Sequence, residues 1–100
     1  MNTFGLSEEN WQTVLKLLVG PLKGRGCKVW IFGSRARKDH KKYSDLDVLY
    51  ESNNNLDSSF VTNLVNELEE SNLPIKVDLV STKNLAESYK ESVERDKVEI

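Results

Sequence analysis

The sequence predicts an α/β (α+β) fold, a small mixed β-sheet with helices packed on one face and an open acidic face on the other. Three observations lead there. Segments of helical and strand-like periodicity alternate along the chain in the order α, β, α, β, α, β, α. In the run from Asp45 to Glu51, Leu46, Val48 and Tyr50 alternate with Asp45, Asp47 and Leu49, so one side of that strand takes helices and the other carries acids. A length of 100 residues holds one domain, residues 1–100, with one modest core.

The first helix starts after Ser7, an N-cap hydroxyl, with Glu8 and Glu9 in its first turn. Trp11, Val14, Leu15 and Leu18 follow at helical spacing, and Gly20-Pro21 is expected to end the helix. Lys28 to Phe32 is the first strand; Val29-Trp30-Ile31-Phe32 is apolar on both faces, as a central strand is. Gly33-Ser34 forms a bend into a short helix through Arg35-Ala36-Arg37-Lys38, and Lys38 to Tyr43 is an exposed loop. After the strand Asp45 to Glu51 comes a polar loop, Ser52-Asn53-Asn54-Asn55. Asp57 or Ser58 caps the next helix, whose apolar stripe is Phe60, Val61, Leu64, Val65 and Leu68, and Asn72 to Pro74 stops it. The third strand, Ile75 to Val80, puts Ile75, Val77 and Leu79 on one face and Asp78 on the other. Ser81 or Thr82 caps a final helix carrying Leu85, Ala86, Tyr89 and Val93 inward, and Val98 to Ile100 is a candidate for a last short strand.

Asp45 and Asp47 point to one face of their strand, roughly 6.6 Å apart by Cα rise. At an effective dielectric near 20 such a pair repels by roughly 2 to 3 kcal/mol, and a divalent cation between the carboxylates removes that cost. Asp78, an acid inside an apolar strand, calls for a partner of its own and is expected to complete a metal cage. Upstream, Gly33 lets a phosphate approach the backbone, Ser34 adds a hydroxyl donor, and the free N–H groups of the first helical turn face the anion. Arg35 or Arg37 is expected to neutralise the outer phosphates. Together these residues describe a magnesium nucleotide site.

Gly33-Ser34-Arg35-Ala36-Arg37 followed by Ser44-Asp45-Leu46-Asp47-Val48 resembles the Gly-Ser, Asp-x-Asp signature of the DNA polymerase β-like nucleotidyltransferases, specifically the minimal nucleotidyltransferase branch. The resemblance spans nearly the whole chain, and the third acid falls on the third strand as the family requires. One departure is visible. The glycine that the family usually has after Ala-Arg is Lys38 here, which affects the loop from Lys38 to Tyr43. The resemblance implies a polymerase β-like nucleotidyltransferase fold and two magnesium ions on Asp45, Asp47 and Asp78 as catalytic and metal-binding residues. It implies ATP or another NTP held by Gly33, Ser34, Arg35 and Ser44. An acceptor hydroxyl would attack the α-phosphorus in line, with pyrophosphate leaving and Asp78 nearest the attacking group. For the minimal branch it further implies a helical HEPN-family toxin as partner, and transfer of AMP to a tyrosine of that toxin to silence its ribonuclease, which makes the chain an antitoxin. Two other readings stay open: a non-catalytic antitoxin that neutralises by covering the toxin, and a small-molecule nucleotidyltransferase of the antibiotic-modifying type.

The remaining features bound these readings. A net charge of −2 argues against direct nucleic-acid binding. No stretch approaches the roughly 18 apolar residues of a membrane span, and the N-terminus lacks a basic-then-hydrophobic signal. Cys27, the only cysteine, excludes an intramolecular disulfide, suits a reducing cytoplasm, and is expected to be a small filler before the first strand. His40, among Asp39, Lys41 and Lys42, is expected to be an exposed surface histidine, and Trp11 and Trp30 are expected to be core anchors. The basic run from Arg35 to Lys42 is either a solvated loop or a patch that meets nucleotide and partner.

Overall fold

The computed structural model describes residues 3–53 and 56–100, so the polar loop expected at Ser52 to Asn55 lies partly outside the described residues. Helix α1 (Glu8–Val14) begins at Ser7, whose hydroxyl accepts the Asn10 N–H at 3.1 Å. The helix does not end at Gly20-Pro21. It widens into a π-helical turn, Leu15–Val19, and runs on as α2 (Gly20–Gly24). The Gly20 N–H reaches back to the Leu15 carbonyl, one residue further than in an α-helix, and this wide turn falls directly before Pro21, whose missing N–H would interrupt a regular α-helical ladder. Val14, Leu18 and Leu22, spaced four apart, form one buried stripe across the junction.

The sheet contains β1 (Lys28–Phe32), β2 (Leu46–Glu51), β3 (Val77–Ser81) and β4 (Val98–Glu99) in the order β3-β2-β1-β4. β1 is antiparallel to both β2 and β4, and β2 is parallel to β3, so the sheet is mixed. Helix α3 (Gly33–Arg37) links β1 towards β2. Helix α4 (Ser58–Glu70), capped by the Asp57 carboxylate on the Ser59 N–H, makes the crossover that a parallel β2-β3 pair needs.

The main core lies between one sheet face and the helices. Val29, Ile31, Leu46 and Val48 meet Val14, Leu18, Leu22, Leu64 and Leu68 there, with Cys27 as a buried filler. Trp11 packs at its margin against Phe4, ring centroids 5.4 Å apart.

The opposite face is only partly open. Trp30 and Leu49 are apolar on that side and need cover, and Val93 of helix α5 (Glu87–Asp96) supplies it, flanked by Phe32, Val80 and Leu85. This last helix therefore lies on the acid-bearing face rather than with the others. Ser81 caps only a 3₁₀ turn, Thr82–Asn84, through its hydroxyl on the Lys83 N–H, and α5 starts after it. Of the side chains expected inward, Val93 is buried, Leu85 half-buried and Ala86 exposed, while Tyr89 is 62% exposed. Among the described residues no helix is long and apolar enough to cross a membrane.

Candidate active site

The site is assembled where β1 ends. Phe32, its last residue, pairs with Asp47 of β2, and Gly33 then turns the chain into α3 with φ +77°. A left-handed backbone of this kind favours glycine, and the neighbour enforces it: a Cβ on Gly33 would collide with the Asp47 carboxylate at Oδ2. Bend and acid thus meet with no side-chain atom between them.

Asp47 and Asp78 are register partners in the parallel β2-β3 pair, so the two carboxylates share one sheet face on adjacent strands. Asp45 stands exposed in the loop one residue before β2, close enough for its charge to act on Asp47. The Asp47 carboxyl is pushed up to about 6, first by burial, then by the charges of Asp78 and Asp45, with Arg37 opposing. Among the described residues no three acidic, histidine or cysteine side chains close into a ready-made metal cage. The fold therefore brings Asp47 and Asp78 together and leaves Asp45 at their edge. An all-carboxylate donor set whose central member is desolvated and crowded by like charge fits a hard divalent cation such as magnesium, which takes oxygen ligands and keeps waters of its own.

Asp47 and Asp78 form one wall of a cleft of about 400 Å³, together with Gly33 and Arg37; Val80, Leu85 and Val93 line it too, and Tyr89, Asn84 and Asp96 complete it from the α5 side.

Two of the expected nucleotide contacts change. Arg35 is 1% exposed and its guanidinium points into the protein, donating to the carbonyls of Ser44 (3.0 Å), Phe4 (2.8 Å) and Lys42 (3.2 Å). Burial lowers its pKa, with Asp45 opposing. Three of its five N–H groups, one on each nitrogen, serve backbone carbonyls, and the buried side chain is turned away from the cleft; it pins the segment that leads into Asp45. Ser44 closes a turn, its hydroxyl accepting the Lys41 N–H at 2.8 Å. Ser34 remains beside Gly33 in the first turn of α3, half-buried.

Arg37 is the exposed arginine on the cleft. It is paired with Asp39 at 3.1 Å and with Asp96 of α5 at 3.3 Å, and these hydrogen bonds, Asp39 first, raise its pKa. Of the basic run, then, Arg35 is buried, Arg37 faces the cleft, and Lys38, Lys41 and Lys42 are exposed. Lys38, in the place of the family's glycine, has φ +66° at the C-terminus of α3. The turn there is closed by the Asp39 N–H on the Ser34 carbonyl at 3.1 Å.

His40 is not a surface histidine. It is half-buried, its Nδ1 is enclosed without a hydrogen-bond partner among the described residues, and its ring lies against Gly5 of the N-terminal segment that Arg35 holds by Phe4. Sequence reasoning missed Tyr89 and Asn84 as cleft residues. The four-residue spacing of Tyr89 to buried Val93 suggested a core position, and only the placement of α5 on the acidic face separates the two.

Residues 27–100 match the family described as Polymerase beta, Nucleotidyltransferase. A Haemophilus influenzae protein described as a probable protein adenylyltransferase MntA is 39% identical over 67 residues, covering 67% of this chain and 59% of that protein. The chain thus spans about three fifths (59%) of the length of this curated relative. Among solved structures, a chain of a toxin-antitoxin with AMP-PNP superposes with a TM-score of 0.65 at 20% identity, over 84% of this chain and 69% of that one. A chain of the tri-AMPylated Shewanella oneidensis HEPN toxin in complex with MNT antitoxin gives a TM-score of 0.62 at 20% identity, over 92% and 69%. At that identity the two structures establish a shared fold.

Proposed function

The chain belongs to the Polymerase beta nucleotidyltransferase family, and from that premise we propose that it is a protein adenylyltransferase and antitoxin. It transfers AMP from ATP to a tyrosine hydroxyl of a helical HEPN-type toxin. The observation that carries this reading is the in-register pair Asp47 and Asp78 on one face, directly beside the Gly33 bend. The probable adenylyltransferase at 39% identity supports the reaction class, and the toxin-antitoxin structures of like fold support the acceptor. A cytoplasmic setting suits the single, buried Cys27.

Asp47 and Asp78, with Asp45 at their edge, would hold magnesium. Bound there, the metal supplies charge neutralisation for the entering and departing oxygens of an in-line displacement. The chain's own residues do the rest. Gly33 lets the Asp47 carboxylate seat directly against the bend, where any side chain would displace it. Arg37, on the cleft wall, offers a guanidinium to the outer phosphates in competition with Asp39 and Asp96. Arg35 fixes the Ser44 carbonyl and so the approach to Asp45. Asp78, exposed on the end strand of the sheet, accepts the proton of the attacking tyrosine hydroxyl. The tyrosine oxygen bonds to the α-phosphorus, the bond from that phosphorus to the bridging oxygen breaks, and pyrophosphate leaves.

The test is label transfer. The chain is incubated with α-labelled ATP, magnesium and the cognate helical toxin, beside an Asp45→Asn, Asp47→Asn double variant. Label on a toxin tyrosine from the parent alone is expected. Equal neutralisation of the toxin by both proteins, without label, would replace the catalytic reading with neutralisation by binding.

A further inference from the structure

The acids occupy one part of the cleft of about 400 Å³, and the rest of its lining asks for a different occupant. Val80, Leu85 and Val93 line it without charge, and Tyr89, one helical turn from buried Val93, keeps 62% of its surface open at the same cleft. A largely exposed aromatic side chain that shares its lining with apolar residues, in a cavity the size of small-molecule sites, has the chemistry of a stacking platform. Asn84, at the end of the 3₁₀ turn, adds an exposed carboxamide to the same lining.

Resting on the nucleotidyltransferase reading, we infer that this part of the cleft is the nucleobase pocket: Tyr89 stacks on the base and Asn84 reads its edge, which selects adenine. A nucleotide whose phosphates lie at Gly33 and the acids has its base in the same continuous cleft. The choice of adenine follows from donor geometry. A carboxamide offers one donor and one acceptor, which pair with adenine N7 and N6, whereas the same edge of guanine presents two acceptors.

Binding measurements decide it without any transfer reaction. Affinities for ATP, GTP and inorganic tripolyphosphate are compared by calorimetry in magnesium buffer for the parent, Tyr89→Ala, Tyr89→Phe and Asn84→Ala. The parent should bind ATP more tightly than tripolyphosphate. Tyr89→Ala should weaken ATP binding about tenfold and leave tripolyphosphate unchanged, while Tyr89→Phe, which keeps the ring, stays within about twofold. Asn84→Ala should narrow the gap between ATP and GTP. ATP affinity unchanged in Tyr89→Ala, or equal affinity of the parent for ATP and tripolyphosphate, would overturn the base pocket while leaving the phosphate site standing. Absence of binding by either ligand would overturn the nucleotide reading as well.

Discussion

The backbone of Gly33 lies against the carboxylate of Asp47 so closely that a β-carbon at position 33 would overlap Oδ2. Two constraints act on the same residue, a left-handed φ of +77° and the Asp47 carboxylate, which would have to swing away to make room for a β-carbon. Gly33→Ala is therefore expected to destabilise the fold by about 1 to 3 kcal/mol. It should also abolish AMP transfer by displacing Asp47. Chemical denaturation and the label-transfer assay check the two effects separately.

Arg35 and Arg37 are two residues apart and have opposite tasks. Arg35→Met takes the donor from the part-buried carbonyls of Phe4, Lys42 and Ser44, at about 1 to 3 kcal/mol for each acceptor that water cannot reach. Arg37→Ala removes only ion pairs of an exposed side chain, which solvent screens. The expected pattern is a large fall in the urea midpoint for Arg35→Met with little change for Arg37→Ala, and weakened ATP binding at near-parental stability for Arg37→Ala.

Stability should depend on pH through Asp47. Its pKa in the folded chain is raised to about 6, so the folded state holds this proton more tightly than the unfolded state does. The associated stability is fully present below the ordinary carboxylate range and is lost as pH rises through about 6. Allowing for partial solvent screening, the effect is on the order of 1 kcal/mol, or a few degrees of melting temperature. In chelator-treated protein the melting temperature should fall between about pH 4 and pH 7, and Asp47→Asn should flatten the profile. Magnesium should raise the melting temperature of the parent at neutral pH and leave that of Asp47→Asn unchanged, which differential scanning fluorimetry can read.

Lys38 holds a left-handed conformation that glycine adopts without strain. Lys38→Gly is expected to stabilise the chain by about 1 kcal/mol. The urea midpoint should rise at constant m-value, with transfer activity unchanged because the side chain points to solvent.

Much of this architecture is local chemistry and hence legible in the chain. Ser7 and Asp57 announce helix starts because their side chains satisfy free N–H groups, and the alternation from Leu46 to Tyr50 announces which face Asp47 occupies. What escaped depends on contacts distant in sequence. Pro21 looked like a stop because proline removes a donor, yet the four-residue spacing of Val14, Leu18 and Leu22 continues across it, and a π turn reconciles the two. Residue type could not tell which way Arg35 faces, since the deciding partner, Phe4, is 31 residues away. Tyr89 likewise joined the cleft only because Trp30 and Leu49 drew α5 onto their side of the sheet, whereas the convergence of Asp78 on Asp47, expected from the sequence, is delivered by strand register.

β3, which carries Asp78, terminates the sheet, with β2 as its only strand neighbour among the described residues. The proposed toxin can therefore approach that exposed carboxylate from the uncovered strand edge. On the proposed reading, trimming the toxin's footprint should alter the transfer rate even where every residue of the cleft is left intact.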